Sequence, residues 1–173
     1  MGKEAVVIWN GTCSQKENMK IKIAIVTYKR QRVLNNTLKQ IYNSEFGLLK
    51  KENREIIIIN NHSEKITIDP SLHDLRDEIK IYNNDCRPDW SNPNLARSWN
   101  QCILFGFKSL VNPDCEILVQ MQNDVILEKK WFSNLLKMHK KYDFITGWIG
   151  DNIISYRPEA IRKIGLWDEK FCS

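Results

Sequence analysis

The chain has 173 residues, 42% hydrophobic and 27% charged, with 26 Lys and Arg against 21 Asp and Glu for a formal net charge of +5. This is the composition of one soluble globular domain with a substantial core, not of a disordered chain, and the mild, scattered basic surplus argues against a nucleic-acid stripe. No run of about 18 apolar residues marks a membrane span, and five cysteines without a CxxC pair argue against a disulfide framework or a zinc knuckle. The expectation is a reduced, cytoplasmic protein, with attachment to the periphery of a membrane as the variant reading.

Residues 1–19 read as an N-terminal extension, and the domain pattern runs from 20 to 173. Ile21–Tyr28 is an apolar run rich in β-branched residues and reads as the first strand. Val33–Tyr42 sets Val33, Leu34, Leu38, Ile41 and Tyr42 on one helical face. Glu55–Asn60 holds four consecutive isoleucines, which suits a strand buried on both sides of a parallel sheet. Ile79–Tyr82 predicts a third strand. Leu95–Leu110 predicts a helix with Asn94 as its N-cap. A strand over Ile117–Met121, a helix over Trp131–Tyr142, strands over Phe144–Trp148 and near Ile153–Tyr156, and a short helix opened by Pro158 complete the series. Strands alternating with helices mean an α/β domain with a mostly parallel, Rossmann-like sheet flanked by helices.

The chemistry-bearing residue in this pattern is Asp124. It follows Ile117-Leu118-Val119-Gln120-Met121-Gln122-Asn123 and falls just past the carboxyl end of a strand, where open α/β sheets bind their ligands. A carboxylate there is poorly placed for packing and well placed to hold a hydrated divalent cation against a diphosphate. A turn or cap role before the next helix is the competing reading. Two other nucleotide-binding classes fit less well. A sugar-phosphate nucleotidyltransferase needs a glycine-rich loop after the first strand, where Thr27-Tyr28-Lys29-Arg30-Gln31 has no glycine. A dinucleotide-binding domain needs a GxGxxG that the chain lacks.

Five segments in order resemble the N-terminal nucleotide-binding part of inverting GT-A glycosyltransferases, the family 2-like group that includes cellulose, chitin and capsule synthases. They are Ile23–Arg30 ("apolar strand, then Thr-Tyr-Asn-Arg"), Glu55–Ser63 ("Asp-Asn-Gly-Ser"), Asn94–Asn100 ("Asn-x-Gly-x-Ala-x-Ala-Arg-Asn"), Gln122–Asp124 (Asp-x-Asp) and Ile164–Phe171 ("Ile-Gly-Gly-Phe-Asp-Glu-x-Phe"). The resemblance implies transfer of a sugar from a UDP-, GDP- or dTDP-sugar to a hydroxyl on a glycan, lipid or protein, with inversion. It implies Mn2+ or Mg2+ on Asp124 and donor contacts from Thr27, Tyr28, Arg30, Asn60, Asn94, Arg97, Gln122 and Asn123. Gln122 replaces the first Asp of the metal motif, so a weaker metal site is expected. Asn60 stands where many members carry the Asp that reads the nucleobase. The family's catalytic base commonly lies a little beyond the last segment, yet the chain ends at Ser173. Three readings stay open: a fragment of a longer enzyme, a base supplied by Asp168 or Glu169, or a non-catalytic module that binds nucleotide or glycan. Trp148 and Trp167 are candidates for a sugar-stacking platform, with core packing as the alternative.

Overall fold

A computed structural model describes residues 19–84, 91–147 and 152–170, with the side chains of 91–94 left aside. Residues 1–18 of the N-terminal extension, Trp148 and Phe171 therefore lie outside the described residues. In chain order the elements are β1 (Ile21–Thr27), α1 (Gln31–Tyr42), β2 (Arg54–Asn60), β3 (Ile79–Asn83), α2 (Ser91–Phe107), β4 (Ile117–Gln122), α3 (Trp131–Met138), β5 (Phe144–Thr146), β6 (Ile153–Tyr156) and α4 (Pro158–Ile164). They form a six-stranded sheet in the order β3-β2-β1-β4-β6-β5. β3, β2, β1 and β4 run parallel, while β6 is antiparallel to both its neighbours. The expected mostly parallel α/β sheet is thus the one observed.

Every residue of β1 and of β2 is buried, because helices cover both faces and strands flank both edges. Ile21, Ile23, Ile25, Ile56, Ile58, Val119 and Met121 face α1, α3 and the short turns carrying Phe46, Leu72 and Leu75. Ala24, Val26, Ile57, Ile59 and Leu118 face α2 and α4 through Trp99, Cys102, Ile103, Phe107 and Ile161. Close approach of α2 to β4 requires Gly106: a Cβ there would stand 2.6 Å from Leu118 Cδ1. Cys102 and Cys115, the cysteines among the described residues, are buried and unpaired.

Both boundaries of α2 and the end of α3 differ from the sequence expectation, α2 closing at Phe107 and not at Leu110. α2 begins at Ser91 and not after Asn94, so Asn94 lies inside the first turn and does not cap it. Proline at position 93 is compatible with this start, because the first helical N–H groups have no intrahelical partner to lose. α3 ends at Met138, before the expected Tyr142. There His139 turns the chain: Nδ1 donates to the Tyr142 carbonyl at 2.9 Å and Nε2 accepts from Ser155 Oγ at 2.6 Å.

Charged groups at the amino ends of the strands are tied together. The buried Lys22 ammonium meets Glu55 Oε1 at 3.2 Å and Asp114 Oδ2 at 2.7 Å, and Lys80 also reaches Glu55. Burial by itself would raise the Asp114 carboxyl, but hydrogen bonds from Lys108, Lys22 and Lys20 outweigh it and hold the group well below the usual carboxylate range. Nearby, Arg54 bridges Glu78 through two bonds of 2.6 and 2.9 Å and also donates to the Gly47 carbonyl.

Replacing one partner of that buried bridge strands the other. Glu78→Gln is expected to cost about 3 kcal/mol of unfolding free energy, read by urea denaturation; an unchanged midpoint would show that the Gly47 carbonyl alone satisfies the guanidinium. His139 generates a pH dependence. Burial pushes its pKa from an ordinary 6.5 down to about 4, so the unfolded chain binds the extra proton between those values. Stability is therefore complete above about pH 6.5 and falls by up to about 3 kcal/mol toward pH 4. His139→Gln is expected to flatten that slope in thermal melts taken across the range.

Candidate functional site

Register places the candidate residues. Thr27 of β1 pairs with Asn60 of β2, Asn60 with Asn83 of β3, and Val26 with Gln122 of β4. Four parallel strands therefore end level, and their exit loops face one crevice at the carboxyl edge of the sheet.

The exit of β1 makes an unusual turn. Lys29 and Arg30 both adopt left-handed backbone, with φ of 58° and 36°, a conformation that costs a side-chain-bearing residue roughly 1 kcal/mol or more. The turn delivers the Arg30 carbonyl to the Val33 and Leu34 N–H groups at 2.9 and 3.1 Å, which starts α1. It also carries the Arg30 guanidinium to Asp124, with Nη1 3.3 Å from Oδ2. Both side chains are open to solvent, at 65% and 43%, so the pair is worth at most about 1 kcal/mol and is readily exchanged for another partner.

Behind Asp124, Asn123 is a clasp. Its Nδ2 donates to Thr27 Oγ1 at 2.8 Å and its carbonyl accepts from Thr37 Oγ1 at 2.7 Å. Thr27 and Asn123 are thus buried and bonded to each other, fixing the loop from which Asp124 projects. Gln122 ends β4 half-buried, its backbone N–H donating to the Asn152 carbonyl at 3.1 Å.

Asn60 has spent its amide within the protein. Nδ2 donates to the Glu64 carbonyl and to Asn83 Oδ1, each at 2.9 Å, and Oδ1 accepts from the His62 N–H at 3.1 Å. Beside it, Asn61 donates to Ser98 Oγ at 2.8 Å and accepts from Asn84, which also exchanges hydrogen bonds with Gln101. His62 sets its ring edge-on against Tyr28, with centroids 5.2 Å apart. His62 was not among the residues singled out from the sequence; the available signal was a histidine at the glycine position of the resembled Asp-Asn-Gly-Ser. Asn83, Asn84 and Gln101 carried no signal, because their role exists only through partners distant in the chain.

The remaining candidates lie on α2 and beyond α4. Arg97 is exposed more than one turn inside α2, not at its N-terminus. The side chain of Asn94 falls outside the described residues. Asn100 straps the segment after α4 to α2: its Oδ1 accepts from the Trp167 N–H at 2.8 Å, and its Nδ2 donates to the Trp167 carbonyl at 2.9 Å and to Glu169 Oε1 at 3.0 Å. Trp167 packs at 4.7 Å on Trp99 and donates from Nε1 to Tyr156. Asp168 is exposed and accepts from the Lys170 N–H at 2.9 Å.

Among the described residues no three His, Cys, Asp or Glu side chains converge on a cation position. One carboxylate, Asp124, fits a hydrated Mn2+ or Mg2+ only where phosphate oxygens complete the coordination. No described helix is long and apolar enough to cross a membrane.

No protein-family model and no curated protein matches the chain. Solved structures do. A mannosyltransferase from Pyrobaculum calidifontis, solved with GDP-Man and Mn2+, matches 96% of this chain and 52% of its own, with 12% identity and a TM-score of 0.56. TarS (1–349) from S. aureus matches 90% of this chain and 52% of its own, with 13% identity and a TM-score of 0.57. GalNAc-T7, solved with UDP, GalNAc and Mn2+, matches 87% of this chain and 37% of its own, with 12% identity and a TM-score of 0.58. The fold is that of the GT-A glycosyltransferases. The chain spans about half the length of the first two neighbours and less of the third.

The strap yields a test. Asn100→Ala removes all three of its contacts and is expected to destabilise the protein by about 2 kcal/mol. It should also speed amide exchange at 167–170 while leaving the β1 and β2 amides protected. Unchanged exchange in that segment would show that Trp167 packing alone holds it.

Proposed function

We propose that this chain is the nucleotide-sugar-binding part of a glycosyltransferase that moves a sugar from a nucleoside-diphosphate donor to a hydroxyl acceptor, with inversion. The observation that carries the reading is the Arg30–Asp124 pair at the carboxyl edge of a GT-A sheet. A cation site and an anion site stand side by side there, loosely paired and open to solvent.

In this reading Asp124, held by the Asn123–Thr27 clasp, binds the divalent cation together with the donor's two phosphates. When bound, that cation offsets the negative charge that grows on the departing diphosphate. Arg30 leaves Asp124 and takes a phosphate oxygen, a match suited to a guanidinium. Arg97 is a second candidate for the phosphates, and Gln122 supplies amide hydrogen bonds where a second carboxylate would otherwise stand. Thr27, Tyr28, Asn60 and Asn123 form or brace the wall beside the nucleotide, and Asn94 belongs to the same group of donor-side residues. A carboxylate has to take the acceptor proton for inversion; Glu169, oriented by Asn100, and Asp168 are the candidates within this chain. The acceptor is a glycan, lipid or protein hydroxyl. A module that binds donor without turnover is the second reading, favoured by Gln122 and by the single carboxylate at the cation position.

Calorimetric titration with nucleoside diphosphates, with and without Mn2+, tests the proposal. Asp124→Asn is expected to weaken nucleotide binding in Mn2+ by about tenfold and to leave the metal-free affinity within about twofold. Metal-strengthened binding that survives in this variant would remove Asp124 from the cation site. Absence of binding by the folded wild-type chain would overturn the functional reading as a whole.

A further inference from the structure

Most buried polar side chains of this domain have partners, but three atoms in the layer between the sheet and α2 do not. Gln120 is 1% exposed and Trp99 4%. Among the described residues nothing bonds Gln120 Oε1, Gln120 Nε2 or Trp99 Nε1. Reversing the amide does not help, because both of its ends are unmet. Buried donors and acceptors without partners are rare and costly, so an amide kept in the middle of a core strand calls for a ligand of its own.

Pleat and register place the amide. Val119 and Met121 face α1 and α3, while Leu118 faces α2, so Gln120 faces α2 with Leu118. Its neighbours across the ladder are Ala24 of β1 and Ile154 of β6. α2 connects the parallel strands β3 and β4 and so runs back along the sheet from its carboxyl edge, with Gly106 against Leu118. Four residues earlier, about 6 Å up the helix axis, stands Cys102; two residues on, about 7 Å up the strand, stands Gln120. Trp99 lies less than one turn beyond Cys102 on the same helix face. It shares one buried cluster with Ala24, Cys102, Leu118 and Ile154. The small side chains of Ala24 and Cys102 thus flank the amide, and the Trp99 indole lies beside them.

We propose that Gln120 and Trp99 hold one internal water between β4 and α2. The three atoms match a single molecule: water accepts from Gln120 Nε2–H and Trp99 Nε1–H and donates to Gln120 Oε1. About three bonds to polar groups that lack other partners is the usual complement of a buried water. Enclosure sets the size of the ligand. With both residues nearly sealed, nothing larger enters without displacing Trp167, which packs on Trp99 at 4.7 Å. The water also accounts for the residue type at position 120. An aliphatic side chain there would leave the Trp99 N–H unmet, whereas glutamine reaches it through the water. The site lies inside the sheet layer, two residues before the end of β4, and does not depend on the donor reading above.

Contact between water and the Trp99 indole is the test. In the wild-type chain, rotating-frame NMR is expected to show a cross-peak between water and Trp99 Nε1–H with the sign of dipolar contact, which proton exchange does not give. Trp99→Phe identifies that resonance by removing it. Gln120→Met keeps the length of the side chain, removes the amide and is expected to abolish the cross-peak. Its urea midpoint should stay level or fall, because the amide given up is already bonded; exchanging an unpaired amide for an apolar chain would raise the midpoint instead. A wild-type indole without dipolar contact to water overturns the proposal, as does a contact that survives in Gln120→Met or a midpoint that rises. The wild-type spectrum decides alone if Gln120→Met does not fold.

Discussion

The in-register pairing of β2, β1 and β4 is the constraint on which the rest depends. β1 has a strand on each edge and helices on each face, so none of its residues reaches solvent. Its side chains have to be apolar or paired, and its ends are the only places where polar chemistry emerges. At the amino end the solution is ionic, with Lys22 held between Glu55 and Asp114. At the carboxyl end it is almost wholly uncharged, built from Thr27, Asn60, Asn61 and Asn123. One pole of the sheet is locked by charge, while the other keeps its charge in reserve on Arg30 and Asp124.

That division explains why so little of the site is preformed for a cation and so much is preformed for shape. Carboxamides and hydroxyls bonded to one another hold loops in place without repelling an anionic ligand. Arg30 and Asp124 are the charged pair at the opening, and their exposure makes the contact cheap to exchange. The left-handed backbone at Lys29 and Arg30 is sustained by the α1 start it permits, and it aims the Arg30 guanidinium at Asp124.

The strands were legible because buried parallel strands write long β-branched runs: Ile21–Thr27 and the isoleucines of β2 admit little else. The helices were legible by period, and their ends less so. α2 starts earlier than expected, because Asn94 is an attractive cap in isolation and nothing local shows that the helix already exists at Ser91. α3 ends early because His139 finds Tyr142 and Ser155, and Ser155 belongs to a strand distant in sequence. The order β4-β6-β5 had no local signature. Within the site, Asp124 was visible from its place after an apolar run. Its pairing with Arg30, 94 residues away, was not. Asn60 was visible as a position but not as a role, since its partners decide what its amide is free to do.

The helix α2 is a post to which three separate loops are moored: Asn61 on Ser98, Asn84 on Gln101, and the strap of Trp167 and Glu169 on Asn100. Gly106 lets this post pack directly on the Leu118 side chain of β4, where a Cβ would stand 2.6 Å from Cδ1. One extra residue in α2 would rotate everything beyond it by about 100° relative to the first turns, and the moorings would no longer face their loops together. Outside Ser98, Asn100, Gln101 and Gly106, such a helix accepts exchanges on its solvent side more readily than any change of length. The phase of this helix, together with those few side chains, is what keeps the loops around the crevice in their places.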